Sequence, residues 1–360
     1  MATQTAGVNE TAAYQPRRPF WRDAIAPYER PRVARTLLDL ATSIVPYVAL
    51  TVLGYVLLDV SYLLVLALVP LTAGFLLRTY IMFHDCTHGA LLPSRRANVW
   101  LGRALGVVVY TPFASWKHSH AMHHGTSGDL ERRGDGDVPM LTAREYHAKS
   151  RGGRLAYRMY RNPLVMFGLG PLWAMVILPR LVKRTMRPRV KRSIIFTNVA
   201  LVVVVGGLCL LVGWQEYLLV QAPAIWLAGS AGIFLFYVQH QFEDMVWQSN
   251  EEWSYADAAL QGSSYLRLPK VLQFFTGNIG LHHVHHLSAR VPNYNLQRAH
   301  DENTIFHSVP TITLWDGIKA ARLKVWDEEE ERLATFPQAR RSAALATSTA
   351  PAPAPASSHA

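Results

Sequence analysis

The stretch GNIGLHHVHHL, residues 277–287, sets four histidines within five positions: His282, His283, His285 and His286. Two other clusters share its pattern. HDCTHGA carries His84 and His88, and HSHAMHHGTSGD carries His120, His123 and His124, with His118 just before them. On an α-helix, offsets of three and four place side chains on one face. Each cluster thus presents a histidine face, from which His283 points away. His240, in YVQHQFED, adds a ninth candidate. A pH switch needs only one or two imidazoles near their ordinary pKa of about 6.5. Eight clustered imidazoles repel one another once protonated, so neutral metal ligands are the better reading. Imidazole suits zinc, copper, iron and nickel. A zinc site closes with four ligands, or three and a water, so eight or nine histidines fit two metals with about four each. Haem uses one or two axial ligands. Soluble di-iron bundles pair Glu and His in Glu-x-x-His, and no Glu stands in that register here. A histidine-rich di-iron centre and a zinc hydrolase site both stay open. The second lacks a Glu within a box to act as general base.

The elements that must bring these clusters together are apolar. Half of the 360 residues are hydrophobic and 17% are charged, against about 25% in soluble domains. Leu37–Met82 is almost unbroken apart from Asp39, Asp59 and Arg78, and Ser193–Val238 is interrupted by GWQEY. Each block has room for two helices of the roughly 20 residues that a bilayer core requires. The expected fold is an all-α integral membrane protein. Four transmembrane helices, at 38–58, 60–82, 194–213 and 217–239, support a cytoplasmic helical cap that carries the metal site. Residues 1–36 read as a basic cytoplasmic arm, 37–335 as one domain, and 336–360, rich in Ala, Pro and Ser, as a disordered tail.

The net charge of +11 lies beside the apolar blocks. Arg17, Arg18, Arg22, Arg30, Arg32 and Arg35 precede the first, and Arg180, Lys183, Arg184, Arg187, Arg189, Lys191 and Arg192 precede the second. This suits anionic headgroups rather than nucleic acid. The positive-inside rule puts both entrances on the cytoplasmic side. Pro163–Pro179, flanked by Arg161 and Arg180, is expected to lie on the interface or to dip and return. Four crossings then place all three boxes and both termini in the cytoplasm, in a bacterial-type inner membrane. A histidine-rich transporter or sensor would carry polar groups inside its spans; these spans are nearly all apolar.

The three boxes, their order and the two apolar blocks resemble the membrane-bound fatty acid desaturases, within the di-iron desaturase and hydroxylase superfamily. HDCTHGA and NIGLHHVHHLSARVPNYNL are most similar to the acyl-lipid, oleate-type branch, and the resemblance covers roughly residues 40–310. It implies two irons held by His84, His88, His120, His123, His124, His282, His285 and His286, with His240 at the place of a ninth ligand. It also implies O₂ as co-substrate and a cis double bond made in an acyl chain, carried by a lipid or another acyl carrier. Electrons would come from an external donor such as ferredoxin with its reductase. The sequence has no haem-attachment motif and no iron–sulfur cysteine set. Acyl hydroxylation, and carotenoid ketolation or hydroxylation, use the same centre and stay open. Some relatives place an Asn four residues before the ninth histidine, where Phe236 stands here; Asn278 is the candidate replacement. Ligand histidines need partners on their other ring nitrogen. The candidates are Asp85, Asp129, Glu243 and Asp244, with His118 and His283.

Overall fold

The computed structural model describes residues 19–133 and 137–341. Among the described residues, four helices are long and apolar enough to cross a membrane: α1 (Val33–Leu58), α2 (Tyr62–His88), α6 (Pro188–Val212) and α7 (Trp214–His240). Between them lie α3 (Arg95–Val108), α4 (Phe113–Thr126) and α5 (Arg151–Tyr160); α8 (Tyr255–Leu260), α9 (His282–Leu287) and α10 (Asn293–Asp301) follow.

Two helices outrun the apolar stretches that reveal them. The helix α2 does not stop at residue 82 but continues through His88. Hydropathy marks where a helix is compatible with lipid, not where its hydrogen bonding ends. Gly89 ends it, in the left-handed conformation at φ 72°, with its N–H directed to the Asp85 and Cys86 carbonyls. Box one is therefore the last part of a span helix rather than a loop beyond it. In the same way α7 runs through to His240.

Two of the three charges that interrupt the first apolar block meet each other. Arg78 of α2 is buried and lies 3.1 Å from Asp39 of α1; Arg35 Nε is 3.4 Å from the same carboxylate oxygen. The segment expected to dip and return is a bent pair, Arg151–Tyr160 with Val165–Arg180, angled by 59°. As a re-entrant segment it leaves four crossings; as one broken span it would make five. Arg161, at its break, is no surface flank. It is fully buried, and its guanidinium donates to Gln241 Oε1, to Tyr237 Oη at 3.2 Å and to the Leu323 carbonyl at 3.2 Å.

The cap is not wholly helical. A three-stranded sheet joins Leu141–Thr142, Val325–Asp327 and Arg332–Ala334, and Tyr265–Arg267 pairs in parallel with Thr311–Thr313. Strands of two or three residues are too short to show a period of two in the sequence. The expected arm and tail also change extent. From Pro19 onward the arm packs on the cap: Ile25 is buried, and Tyr28 Oη donates to Glu302 at 2.6 Å. Phe336 stacks 4.8 Å from Tyr146 and Ala339 is buried, so folded chain continues past residue 335. The tail reading for 342–360, and the arm reading for 1–18, fall outside the described residues.

Candidate metal centre

Box one ends α2, box two occupies the second half of α4, and box three is the short helix α9. The approach to box three depends on Gly277, at φ 52°. A Cβ there would lie 2.8 Å from Ile81 Cγ2 on α2, so glycine allows this loop to press against the helix that carries box one.

The boxes converge into two sets. His84, His88, His120, His124 and His285 form one; His123, His240, His282 and His286 form the other. Within each set one ligand nitrogen per residue lies within 4.8 Å of all the others. Neighbouring Nε2 atoms are closer. His84–His120 and His124–His285 are 3.0 Å apart, His120–His124 and His123–His286 are 3.1 Å, and His240–His282 are 2.8 Å. A cation held about 2.1 Å from each nitrogen sets neighbouring ligands about 3.0–3.4 Å apart, from octahedral to tetrahedral geometry. His88 Nε2 is buried and has no hydrogen-bond partner among the described residues. The donor set thus fits two metal ions that favour imidazole.

Three rings are oriented through Nδ1. Asp85 Oδ1 lies 3.1 Å from His84 Nδ1, while its Oδ2 accepts from the Asn293 backbone and side chain at 2.9 and 3.0 Å. Asp137 Oδ1 contacts His123 Nδ1. His240 Nδ1 lies 3.1 Å from the Gly262 carbonyl and 3.3 Å from Ser127 Oγ. A proton on Nδ1 leaves the Nε2 lone pair free for a metal. Trp116 stacks on His120, with ring centroids 4.2 Å apart and planes at 27°.

Burial and neighbouring imidazoles lower the pKa of His120, His124, His282, His285 and His286 well below the ordinary histidine value. His283 is lowered to about 3, first by burial and then by His300. Such a group is neutral in the folded chain while the unfolded chain takes up a proton below about pH 6.5. Its stability contribution is whole above pH 6.5 and is lost as pH falls toward the folded pKa. Each group costs about 1.4 kcal/mol per pH unit in that window. The denaturation midpoint of the metal-free protein in detergent is therefore expected to drop steeply below pH 6.5. A midpoint flat with pH would contradict the burial of neutral imidazoles.

The other candidate partners fare differently. His118 is exposed, because an offset of two from His120 turns it to the opposite face of α4. Asn278, at φ 58°, donates to the Asn293 carbonyl at 3.2 Å rather than facing the histidines. Glu243 and Asp244 are exposed, and Glu243 lies 3.9 Å from Arg332. Asp129 is buried but accepts from the backbone of Glu131 and Arg132 and from Arg132 Nε, which shapes its own loop. His283 faces away from both sets, with Nε2 3.0 Å from His300 Nδ1. Phe236 packs its ring 4.8 Å from His123 and 5.9 Å from His240. Asp137, Ser127, Gly262 and Trp116 were not anticipated as partners. Trp116 sits four residues before His120, and that spacing on α4 is the one local signal among them.

An apolar pocket lies beneath the cluster, lined by Leu76, Leu77, Tyr80, Val109, Tyr110 and Ile225 among others. Tyr80 is 5.8 Å from Trp116, ring to ring, so the pocket wall reaches the histidines through two aromatic side chains.

The family model described as "Fatty acid desaturase" matches residues 60–306. The chain is 46% identical over 312 residues to a Bacillus subtilis protein named "Fatty acid desaturase", which covers 87% of this chain and 89% of that one. It is 26% identical over 271 residues, 74% of each chain, to the sn-1 oleoyl-lipid 12-desaturase of Synechocystis. A second Synechocystis protein, "sn-1 acyl-lipid omega-3 desaturase (ferredoxin)", is 26% identical over 229 residues, 61% of this chain and 62% of its own.

Proposed function

This chain belongs to the fatty acid desaturase family, and from that premise we propose that it introduces a cis double bond into a lipid-linked acyl chain, using O₂, two irons and electrons from an external carrier. The observation that carries the reading is the convergence of nine imidazoles, seven of them buried, into two sets at the ends of membrane helices. His84, His88, His120, His124 and His285 would hold one iron, and His123, His240, His282 and His286 the other. The metal pair supplies the O₂-dependent removal of hydrogen from unactivated methylenes, which lies beyond side-chain acids and bases.

The protein supplies position. Asp85, Asp137 and the Gly262 carbonyl fix three rings with Nδ1 protonated and Nε2 free. Burial keeps His120, His124, His282, His285 and His286 neutral, the form that ligates. The pocket is lined mostly by apolar side chains, as an acyl chain requires, and Tyr80 in its wall contacts Trp116, which stacks on His120. Basic residues at both block entrances support a cytoplasmic position for the cap. There the donor would be a ferredoxin with its reductase; one relative carries ferredoxin in its name.

Expression in a host that supplies ferredoxin and reductase tests this reading through the host's fatty acids. Mass spectrometry is expected to find acyl chains two hydrogens lighter with a cis double bond. Unchanged lipids from well-expressed, iron-loaded protein would contradict it, and a product carrying oxygen from O₂ would make the protein a hydroxylase. Asp137→Asn is expected to keep the fold and weaken metal retention about 10- to 100-fold. Metal competition with a chelator measures this, and unchanged retention would remove Asp137 from the site.

A further inference from the structure

Two short helices of the cap leave their apolar faces uncovered. In Lys270–Phe275, Val271 is 66% exposed and Leu272 and Phe274 are also open. In Leu314–Ala320, Trp315 is 63% exposed and Leu314 and Ile318 are open beside it. Each helix rests on a different span. Phe275 packs 5.1 Å from Phe75, and a Cβ on Gly74 would lie 2.7 Å from its ring. Arg78, paired with Asp39, donates to the Phe274 carbonyl and sits 4.1 Å from the Phe274 ring. On the other helix, a Cβ on Gly317 would be 3.3 Å from Val238 and 3.4 Å from Phe234.

Both landing points fall toward the histidine-bearing ends of their spans. Arg78 lies about 24 Å along α2 from its start at Tyr62, and Phe234 lies about 30 Å along α7 from Trp214, at 1.5 Å per residue. The hydrocarbon core of a bilayer is about 30 Å thick. The two helices therefore meet the spans near the histidine-side edge of that core, the first about 6 Å inside it and the second at it. Their open faces continue the lipid-facing surface of α2 and α7. Lys270 and Lys319 are exposed next to them, and Lys319 lies 5.7 Å from the Trp315 ring. Trp and Lys together mark the headgroup level.

We propose that helices Lys270–Phe275 and Leu314–Ala320 form an interfacial collar seated in the lipid headgroup layer, docking the histidine cap onto the bilayer surface. The Asp39–Arg78 pair then has a role. It anchors the end of the first collar helix, seven residues before box three begins at His282, to α2, which carries box one. The proposal rests on the membrane placement of the spans and not on the reaction, so it survives or fails separately from the desaturase reading.

Spin labels test it in the full chain, reconstituted in lipid nanodiscs in a Cys209→Ser background; Cys86 is buried. Labels go on Leu272→Cys and Trp315→Cys, with Val271→Cys and Ile318→Cys replacing either variant that misfolds. Leu210→Cys, on a lipid-facing span, and Glu251→Cys, exposed on the cap, are the references. Collisions with O₂, which concentrates in lipid, and with a water-soluble nickel chelate are compared. The O₂-to-nickel ratio at both collar sites is expected to be several-fold above that at Glu251→Cys and to approach that at Leu210→Cys. A ratio equal to the Glu251→Cys value at either helix overturns the proposal. So does exclusion of both reagents, which a second copy covering the face would produce.

Discussion

Replacing His285 with alanine is expected to abolish product and to lower bound metal from two ions per chain to about one, while replacing its near neighbour His283 spares both. His285 is the box-three member of the five-histidine set. Its Nε2 lies 3.0 Å from that of His124, and its ring centroid is 4.4 Å from His84 and 4.9 Å from His88. Its loss removes the one ligand that α9 contributes to that set. Removing a partner behind a ligand already costs about 10- to 100-fold in affinity or activity, so loss of the ligand itself should exceed about a hundredfold. His283 is buried against His300 and Phe306 instead. Its substitution should lower thermal stability through a cavity and leave metal in place. Metal analysis and fatty acid profiling of the two variants, side by side, measure the contrast. Equal metal in both variants and wild type would contradict the assignment.

The second large effect concerns stability. Arg78→Met leaves Asp39 buried with Arg35 as its remaining partner at 3.4 Å, and it frees the Phe274 carbonyl. Breaking a buried ion pair from one side costs about 3–5 kcal/mol, whereas replacing both partners with apolar groups is often nearly neutral. Arg78→Met is therefore expected to lower unfolding free energy in detergent by about 3–5 kcal/mol, and Arg78→Met with Asp39→Leu to recover most of the ion-pair share. The double variant should still lose what the Phe274 carbonyl gains from Arg78. A double variant no more stable than the single one would show that the anchor, and not the buried charge, dominates.

The spans and the eight box histidines were legible because both are written in short-range spacing. Apolar runs of bilayer length and offsets of three and four need no tertiary knowledge. The partition of the nine into five and four was not legible. Consecutive helical residues diverge by about 100°, so His123 and His124 face different sets, and His285 separates from His282 and His286. The same rotation explains why His118 faces outward. Asp137 stayed hidden because it lies in a charge-rich loop fourteen residues from His123, where no period links the two. Asp39 and Arg78 read as interruptions; their pairing depends on how α1 packs on α2, which composition does not encode. The chain order of the three boxes, by contrast, already shows that the site must be assembled from distant segments.

Two separate imidazole sets fit two metal ions, so the decisive measurement is iron per chain in protein purified with its native metal. Two irons per chain in the wild type are expected, falling to about one in His282→Ala and in His285→Ala alike, since each belongs to a different set. A single metal ion per wild-type chain, or two zinc ions with no iron, would contradict a di-iron centre built from these nine histidines.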